Sequence, residues 1–488
     1  MPEKESFFSE INKASADQSG GFSLNPNLGN ASETPSTVNT EPISLSTPVS
    51  RVATSSTPTP TPNPNRPSTI NLNGSGSTMN LGSAPVKSRK KLFGILLGLF
   101  LLIVIGAGAY ILISKPDNYM DPRKASDNNA NSQTDNVDKS NMFESPINGV
   151  YVSQDEAKNF KDRKPIAVMV NNYVVARPSS GLSFADVVYE AVAEGGITRL
   201  MPIFHSKIPD QVTSVRSARY YFAELAAPYS PHFIHWGAAH VPPCQKAGTC
   251  AKETEPDTDA YDRIVKLGLP NLDGGNYSCD RSDCAFGRDQ AKLAAGVALE
   301  HTAGVKLPLI YQLAKEIRPQ EAWHQFKQFT AWKFKDEARM EERGTIGLDV
   351  PITYTYWDTM PDFSVKWVYD KEKNEYIRYQ GGVKQIDFLN NQELRAKNVI
   401  VRFTVETKVG DKKAHLYQQI TGTGNALIFM DGKVIEATWS RSTHDEMDVY
   451  KAKDGQEVVF NRGQIWVQLV PSTNKVSYQS ESVSTPTP

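Results

Sequence analysis

Four arginines, Arg177, Arg199, Arg216 and Arg219, fall close together in the chain, and each is the kind of residue that grips an anion. A guanidinium is planar, permanently charged, and able to hold a carboxylate or phosphate through two parallel hydrogen bonds. A cluster of them suits a carboxylate, a phosphate or a uronate. His235, Arg288 and Asp289 complete the candidate ligand-binding set. The competing assignment is structural, with Asp186, Glu190, Glu194 and Glu224 pairing with the arginines.

Asp186 and Glu190 are also the candidate catalytic carboxylates, because glycan cleavage needs two acids flanking one bond. Ordinary pairing with arginine is the favoured reading of both. Ser179, Ser180 and Ser183 lie in a loop without a recognisable base partner, and there is no G-x-S-x-G elbow. Metalloprotease, P-loop and dinucleotide signatures are missing, so no cofactor is expected. His205, His232, His235 and His240 are the remaining titratable candidates, read as core or rim residues. Trp357, Trp367, Trp439 and Trp466 could stack on sugars, but tryptophans carried on strands favour the core.

All four cysteines lie between Cys244 and Cys284. Four thiolates could hold zinc, yet Cys244–Cys250 and Cys279–Cys284 are spaced more widely than the usual knuckle. In an oxidising compartment two disulfides would staple the insertion. Short local loops favour pairing Cys244 with Cys250 and Cys279 with Cys284, with the other connectivities open. No bound metal is expected.

These residues need elements to position them, and the chain supplies them unevenly. It has 488 residues, 39% hydrophobic, and a net charge of −1. That balance argues against a nucleic-acid partner, so electrostatic recognition must be local. Residues 1–86 hold no aromatic beyond Phe7, Phe8 and Phe22, and read as a disordered Ser/Thr/Pro-rich tail. Residues 92–113 form an uncharged apolar run of about 22 residues, long enough to span a bilayer. Lys87, Arg89, Lys90 and Lys91 precede it, which predicts a single-pass membrane protein with a cytoplasmic N-terminus and extracytoplasmic domains. A polar stalk over 114–147 follows.

Over 148–336 the spacing predicts an α/β domain with a mixed sheet. Apolar runs at 166–170, 187–193, 197–204 and 233–236 read as strands, and Glu194-Gly195-Gly196 as a hairpin turn. A helix follows Arg216 and Arg219, and two more are expected near 288–300 and 309–327. Over 345–472 nine short strands, separated by Asp, Gly and Asn, predict an all-β antiparallel sandwich or partly closed barrel. Asp431-Gly432 and Asp454-Gly455 are its clearest turns. Residues 473–488 read as a disordered tail.

The blocks ARPSSGLSFADVVYEAVAEGGITRL (176–200), SVRSARYYFAELA (214–226), DGKVIEATW (431–439) and NRGQIWVQLVP (461–471) resemble the signature blocks of the YerB-like family. The resemblance spans about residues 151–471. It implies a two-domain, membrane-attached extracytoplasmic bacterial protein with no established activity. Many such proteins are lipoproteins acylated on an N-terminal cysteine, whereas this chain carries the apolar run at 92–113. The family's Arg-Asp pair is kept as Arg288-Asp289, but the stretch leading to His301-Thr302 departs from the usual pattern.

The leading functional expectation is an envelope protein that binds an anionic cell-surface ligand, a wall polymer or an envelope protein, through its arginines. A wall hydrolase or transferase and a non-catalytic scaffold are the alternatives, and the residues leave open whether the protein is an enzyme.

Overall fold

The run Val187–Val192 is apolar at almost every position because both of its faces are covered: all six residues are buried. It is the central strand of the protein. The computed structural model describes residues 139–240 and 258–478, apart from 280, 282, 350, 357–360, 410 and 412, and these belong to one unit.

Ten strands of the main sheet are β1 (Ile166–Val168), β2 (Val187–Val192), β3 (Thr198–Phe204), β4 (His232–His235), β5 (Asn271–Asp273), β6 (Asn398–Thr404), β7 (Gly422–Met430), β8 (Lys433–Arg441), β9 (Val449–Ala452) and β10 (Ile465–Pro471). Their spatial order is β9-β8-β7-β6-β10-β2-β3-β1-β4-β5, and the short strand Val170–Asn171 adds an eleventh beside β3. The sheet is mixed. β10 runs parallel to β6 and to β2, while β2, β3 and β1 pair antiparallel.

Alternation along each strand then builds two cores. One face carries Ala167, Tyr189, Phe233, Ile428 and Val467, covered by helix α1 (Tyr220–Ala226). The other carries Val168, Val188, Ile234 and Trp466, covered by helix α2 (Leu307–Ile317) and a second sheet. In that second sheet, strands Val365–Asp370 and Glu375–Gln380 alternate buried and half-buried residues, turning Trp367, Tyr369 and Tyr376 inward. Trp367, Trp439 and Trp466 are fully buried, which leaves none of them as a sugar platform; Trp357 lies outside the described residues.

Turn chemistry agrees with the sequence. Gly195 and Gly196 both have positive φ and join β2 to β3. Asp431 (φ 54°) and Gly432 (φ 65°) join β7 to β8 in the paired left-handed conformation of a tight hairpin. A Cβ on Gly432 would stand 2.5 Å from the Gly344 carbonyl oxygen. α2 begins with Pro308 in its first turn and stops before Arg318-Pro319, where the proline disfavours helix at the preceding residue. In place of one helix, the region 288–300 holds the short helix Gln290–Ala294 and the start of the 3-10 turn Leu299–His301.

The expected architecture needs correction. Among the described residues no separate all-β sandwich or closed barrel forms from the C-terminal part. β6 to β10 instead extend the sheet of the N-terminal part, through the register Val187↔Ile465 to Glu190↔Gln468. The physical reason is visible in β10, which is buried at all seven positions and so cannot be one layer of a two-layer sandwich exposed on its outer face. The single transmembrane helix is not supported either. Residues 92–113 lie outside the described residues, and among the described residues no helix is long and apolar enough to cross a membrane. The N-terminal tail, the stalk up to 138 and residues 479–488 likewise lie outside them.

The seam between the two parts is also polar. Glu190, on β2, is fully buried, and both its carboxylate oxygens lie 2.9 Å from Nη2 of Arg378 in the second sheet. Thr198, Gln468 and Trp466 donate to the same carboxylate at 2.9, 2.8 and 3.2 Å. The Arg378 guanidinium stacks over the Trp466 ring at 4.8 Å. Removing one member of such a pair strands a buried charge, at a cost of about 3–5 kcal/mol. Arg378→Met should therefore destabilise the protein by that amount in urea denaturation. The double variant Glu190→Gln/Arg378→Met should be more stable than Arg378→Met alone. Additive losses would contradict the pairing.

Candidate functional site

The β2–β3 hairpin delivers Glu194 and Arg199 to the start of α1, where Arg219 is the residue before the first helical turn. Tyr221, in that turn, donates from its hydroxyl to the Val192 carbonyl at 2.7 Å and pins the helix to β2. Glu194 bonds both guanidiniums: Arg219 through Nε, and Arg199 through Nη2 at 3.2 Å. Arg199 also donates to the Ser217 carbonyl, and Arg219 to the Ala218 carbonyl at 2.7 Å. His415 approaches Glu194 to 3.8 Å while bonding Asp411 at 2.5 Å. Burial opposes ionisation of Glu194, but Arg219 and Arg199 outweigh it and hold the carboxyl down at about 2. Burial and the neighbouring Arg219 push Arg199 down to about 9, still a cation at neutral pH.

Arg216 lies in the same cluster with less support. Its Nη1 makes one long contact, 3.4 Å, to the Glu300 carbonyl. Burial lowers its pKa, the Glu300 charge opposes that, and Arg219 adds to the lowering. Arg288 completes the wall, stacked over Trp236 at 4.0 Å and bonded to the Leu299 carbonyl at 2.6 Å. The group thus holds four guanidiniums, Arg199, Arg216, Arg219 and Arg288, against the two carboxylates Glu194 and Glu300. Among the described residues Arg216 is thus a half-buried cation with few hydrogen-bond acceptors.

The other candidates go elsewhere. Arg177 donates to the carbonyls of Asn172 (3.0 Å) and Asp362 (3.2 Å) and lies over Phe363, tying its loop to the second sheet. Asp289 caps the short helix Gln290–Ala294 by accepting from the Lys292 amide at 3.0 Å. His235 is fully buried, bonded to the Gly237 carbonyl at 2.8 Å and to Asn271 at 2.5 Å. Asp186 is buried and accepts from Asn148 (2.6 Å), the His205 amide (2.7 Å) and Ser206; burial raises its pKa against those bonds. Asp186, the residue before β2, and Glu190 on it stand four residues apart, about 13 Å along an extended chain. That is too far to flank one glycosidic bond. Of the four expected acid partners, Glu194 pairs with Arg199 and Arg219, Glu190 with Arg378 and Glu224 with Arg263, while Asp186 holds backbone.

Cys279 and Cys284 stand with Cα atoms 5.9 Å apart, a separation that a disulfide spans; Cys244 and Cys250 lie outside the described residues. Ser180 bonds Thr213, and Ser183 bonds Asp387, so the serine loop is engaged in structure. An open depression of about 570 Å³ at Met340, Leu348, Tyr369 and Ile377 shares no residue with the arginine group.

Residues not singled out beforehand also line this wall: Asn171, Tyr173, Glu300 and His301. Asn171 pairs with Arg199 in the sheet and its side-chain amide meets His301 Nδ1 at 2.7 Å. Only the family's His at the end of the divergent stretch hinted at His301.

His205 and His232 are buried, and neither ring nitrogen of either has a hydrogen-bond partner among the described residues. Burial pushes their pKa values down to about 4 and about 3. An unfolded histidine titrates near 6.5, so below that pH the unfolded chain binds more protons than the folded one. The stability carried by the neutral rings is whole above about pH 6.5. It falls as the pH drops toward 4, by up to about 1.4 kcal/mol per unit per histidine. Urea midpoints should therefore decline from pH 7.5 to 5, and His205→Phe should flatten the decline. An unchanged slope in the variant would contradict the assignment.

Comparison with known proteins accords with this frame. The "Protein of unknown function (DUF3048) N-terminal domain" matches residues 152–258, and the corresponding C-terminal domain matches residues 352–467. The chain is 28% identical over 342 residues to a Bacillus subtilis (strain 168) protein named "Putative lipoprotein YerB", covering 70% of this chain and 90% of that protein. The crystal structure of YerB from Bacillus subtilis superimposes with a TM-score of 0.54 and 25% identity, covering 69% of this chain and 99% of that one. Both family domains occur in order, and one shared sheet carries them: the chain belongs to the YerB-like family, whose function is unknown.

Proposed function

We propose that this protein is a membrane-attached envelope protein that binds an anionic cell-surface ligand at Arg216, within the frame of Arg199, Arg219 and Glu194. The observation that carries this reading is the division of labour among the arginines. Arg199 and Arg219 spend their donors on Glu194 and on backbone carbonyls, whereas among the described residues the Arg216 side chain has a single hydrogen bond, of 3.4 Å, to the Glu300 carbonyl. The first two build the wall, and Arg216 meets the ligand. The lipoprotein designation of the Bacillus subtilis relative supports placement at a membrane.

Binding through one guanidinium in a partly dry site is worth about 1.5–3 kcal/mol, roughly a tenfold to hundredfold change in affinity. Co-sedimentation of the full chain with purified cell-wall sacculi measures it. The wild type should pellet and be released as salt rises. Arg216→Ala should lose at least about tenfold in affinity while keeping its circular dichroism spectrum and urea midpoint. Equal pelleting of wild type and variant would overturn the role of Arg216.

A further inference from the structure

Beside Arg216 stands a histidine whose proton position is fixed by its neighbours. The Asn171 side chain accepts from the Tyr173 amide through Oδ1 at 2.9 Å, so its NH₂ group must face His301. His301 Nδ1 is therefore the acceptor of that 2.7 Å bond, and the ring proton sits on Nε2. Tyr173 stacks on the same ring with centroids 5.2 Å apart, and the Ser214 hydroxyl donates to the His301 carbonyl. Nε2–H has no hydrogen-bond partner among the described residues, and it is not a buried orphan. Backbone bonds hold this unit against Arg216: the Asn171 amide to the Ser214 carbonyl at 2.8 Å, and the Arg216 amide to the Met169 carbonyl at 2.9 Å. The Val215 amide to the Ala303 carbonyl, also 2.9 Å, closes the other side.

Both elements that carry this polar unit also present bare apolar side chains. Val174 and Val175, in the turn directly after Tyr173, are 44% and 51% exposed. Leu299, in the turn that ends at His301, is 56% exposed. The Tyr173–His301 stack brings the two turns together, so an apolar rim borders the cationic wall of Arg216 and Arg288. An anionic group alone has no use for that rim. An anion that drags a hydrocarbon chain does, because head and chain find complementary surfaces side by side.

We infer that the ligand of this site is an amphiphilic anion, an alkyl or acyl phosphate. Its head bonds Arg216 and His301 Nε2–H, and its chain lies along Val174, Val175 and Leu299. This inference rests on the anion-binding reading of Arg216 and adds the chemistry of the ligand.

The test uses the full chain, titrated calorimetrically with methyl phosphate and with octyl phosphate below its micelle concentration. Wild type is compared with Val174→Ser/Val175→Ser and with Arg216→Ala, each checked for fold by circular dichroism. Each buried methylene is worth about fourfold in affinity. Octyl phosphate should therefore bind the wild type at least about tenfold tighter than methyl phosphate, two buried methylenes being enough. The double serine variant should lose that gain and keep its affinity for methyl phosphate, and Arg216→Ala should lose both ligands. Equal affinities for the two phosphates, abolished in Arg216→Ala, would overturn the amphiphile and leave anion binding standing. A gain with octyl phosphate that survives in the serine variant would also overturn it, by placing the chain elsewhere. Binding of neither phosphate would overturn the amphiphilic phosphate, while the sacculus assay judges anion binding separately.

Discussion

A carboxylate without solvent contact must find its countercharge inside the protein, and Glu190 finds it 188 residues along the chain, on Arg378. That pair can exist only when β2, β10 and the second sheet are assembled together, because Gln468 and Trp466 of β10 complete the coordination of the same carboxylate. The desolvation of both charges is offset only in this one arrangement. The pair therefore acts against alternative registers of the β2–β10 seam. A shift by one residue would turn Glu190 to the opposite face of the sheet, away from Arg378.

The arginine wall inherits its geometry from this seam. β2 continues from Glu190 through Val192 into the turn at Glu194, so the position of Glu194 is fixed by the strand that Glu190 anchors. Glu194 then aligns Arg199 and Arg219, and α1 is fastened to β2 by the Tyr221 hydroxyl. One strand thus serves two purposes at its two ends. Its centre joins the N- and C-terminal parts, and its tip organises the cations. Arg216 and His301 are attached by backbone and side-chain bonds to neighbouring segments rather than to that tip, and Asn171, paired with Arg199 in the sheet, links the two.

Local features were legible in the sequence because local physics determines them. The Gly195-Gly196 and Asp431-Gly432 turns need left-handed backbone, and their residues advertise it. β2 and β3 announce themselves as apolar runs, and the buried tryptophans follow from their strand positions. Partner choice was not legible. Nothing in IWVQLV says that its parallel neighbours are 398–404 and 187–190, so its nine-strand surroundings suggested a free-standing β domain instead of an extension of one sheet. Glu190 looked like a candidate acid because a sequence cannot show that its counterion is Arg378. The arginine cluster was visible in part. Arg199, Arg216 and Arg219 do converge, whereas Arg177 turns to Asp362 and His235 into the core. His301 and Asn171 join the site through contacts 130 residues apart, beyond the reach of spacing.

The central claim is that the two family domains fold as one unit through the β2–β10 seam. Native-state hydrogen exchange on the full chain tests it most directly. The amides of β2 (Val187–Val192) and of β10 up to Val470 are expected to exchange through a common global opening, with one free energy and one dependence on denaturant. Exchange of β6 to β10 through a separate opening of lower free energy, while β2 and β3 stay protected, would contradict it.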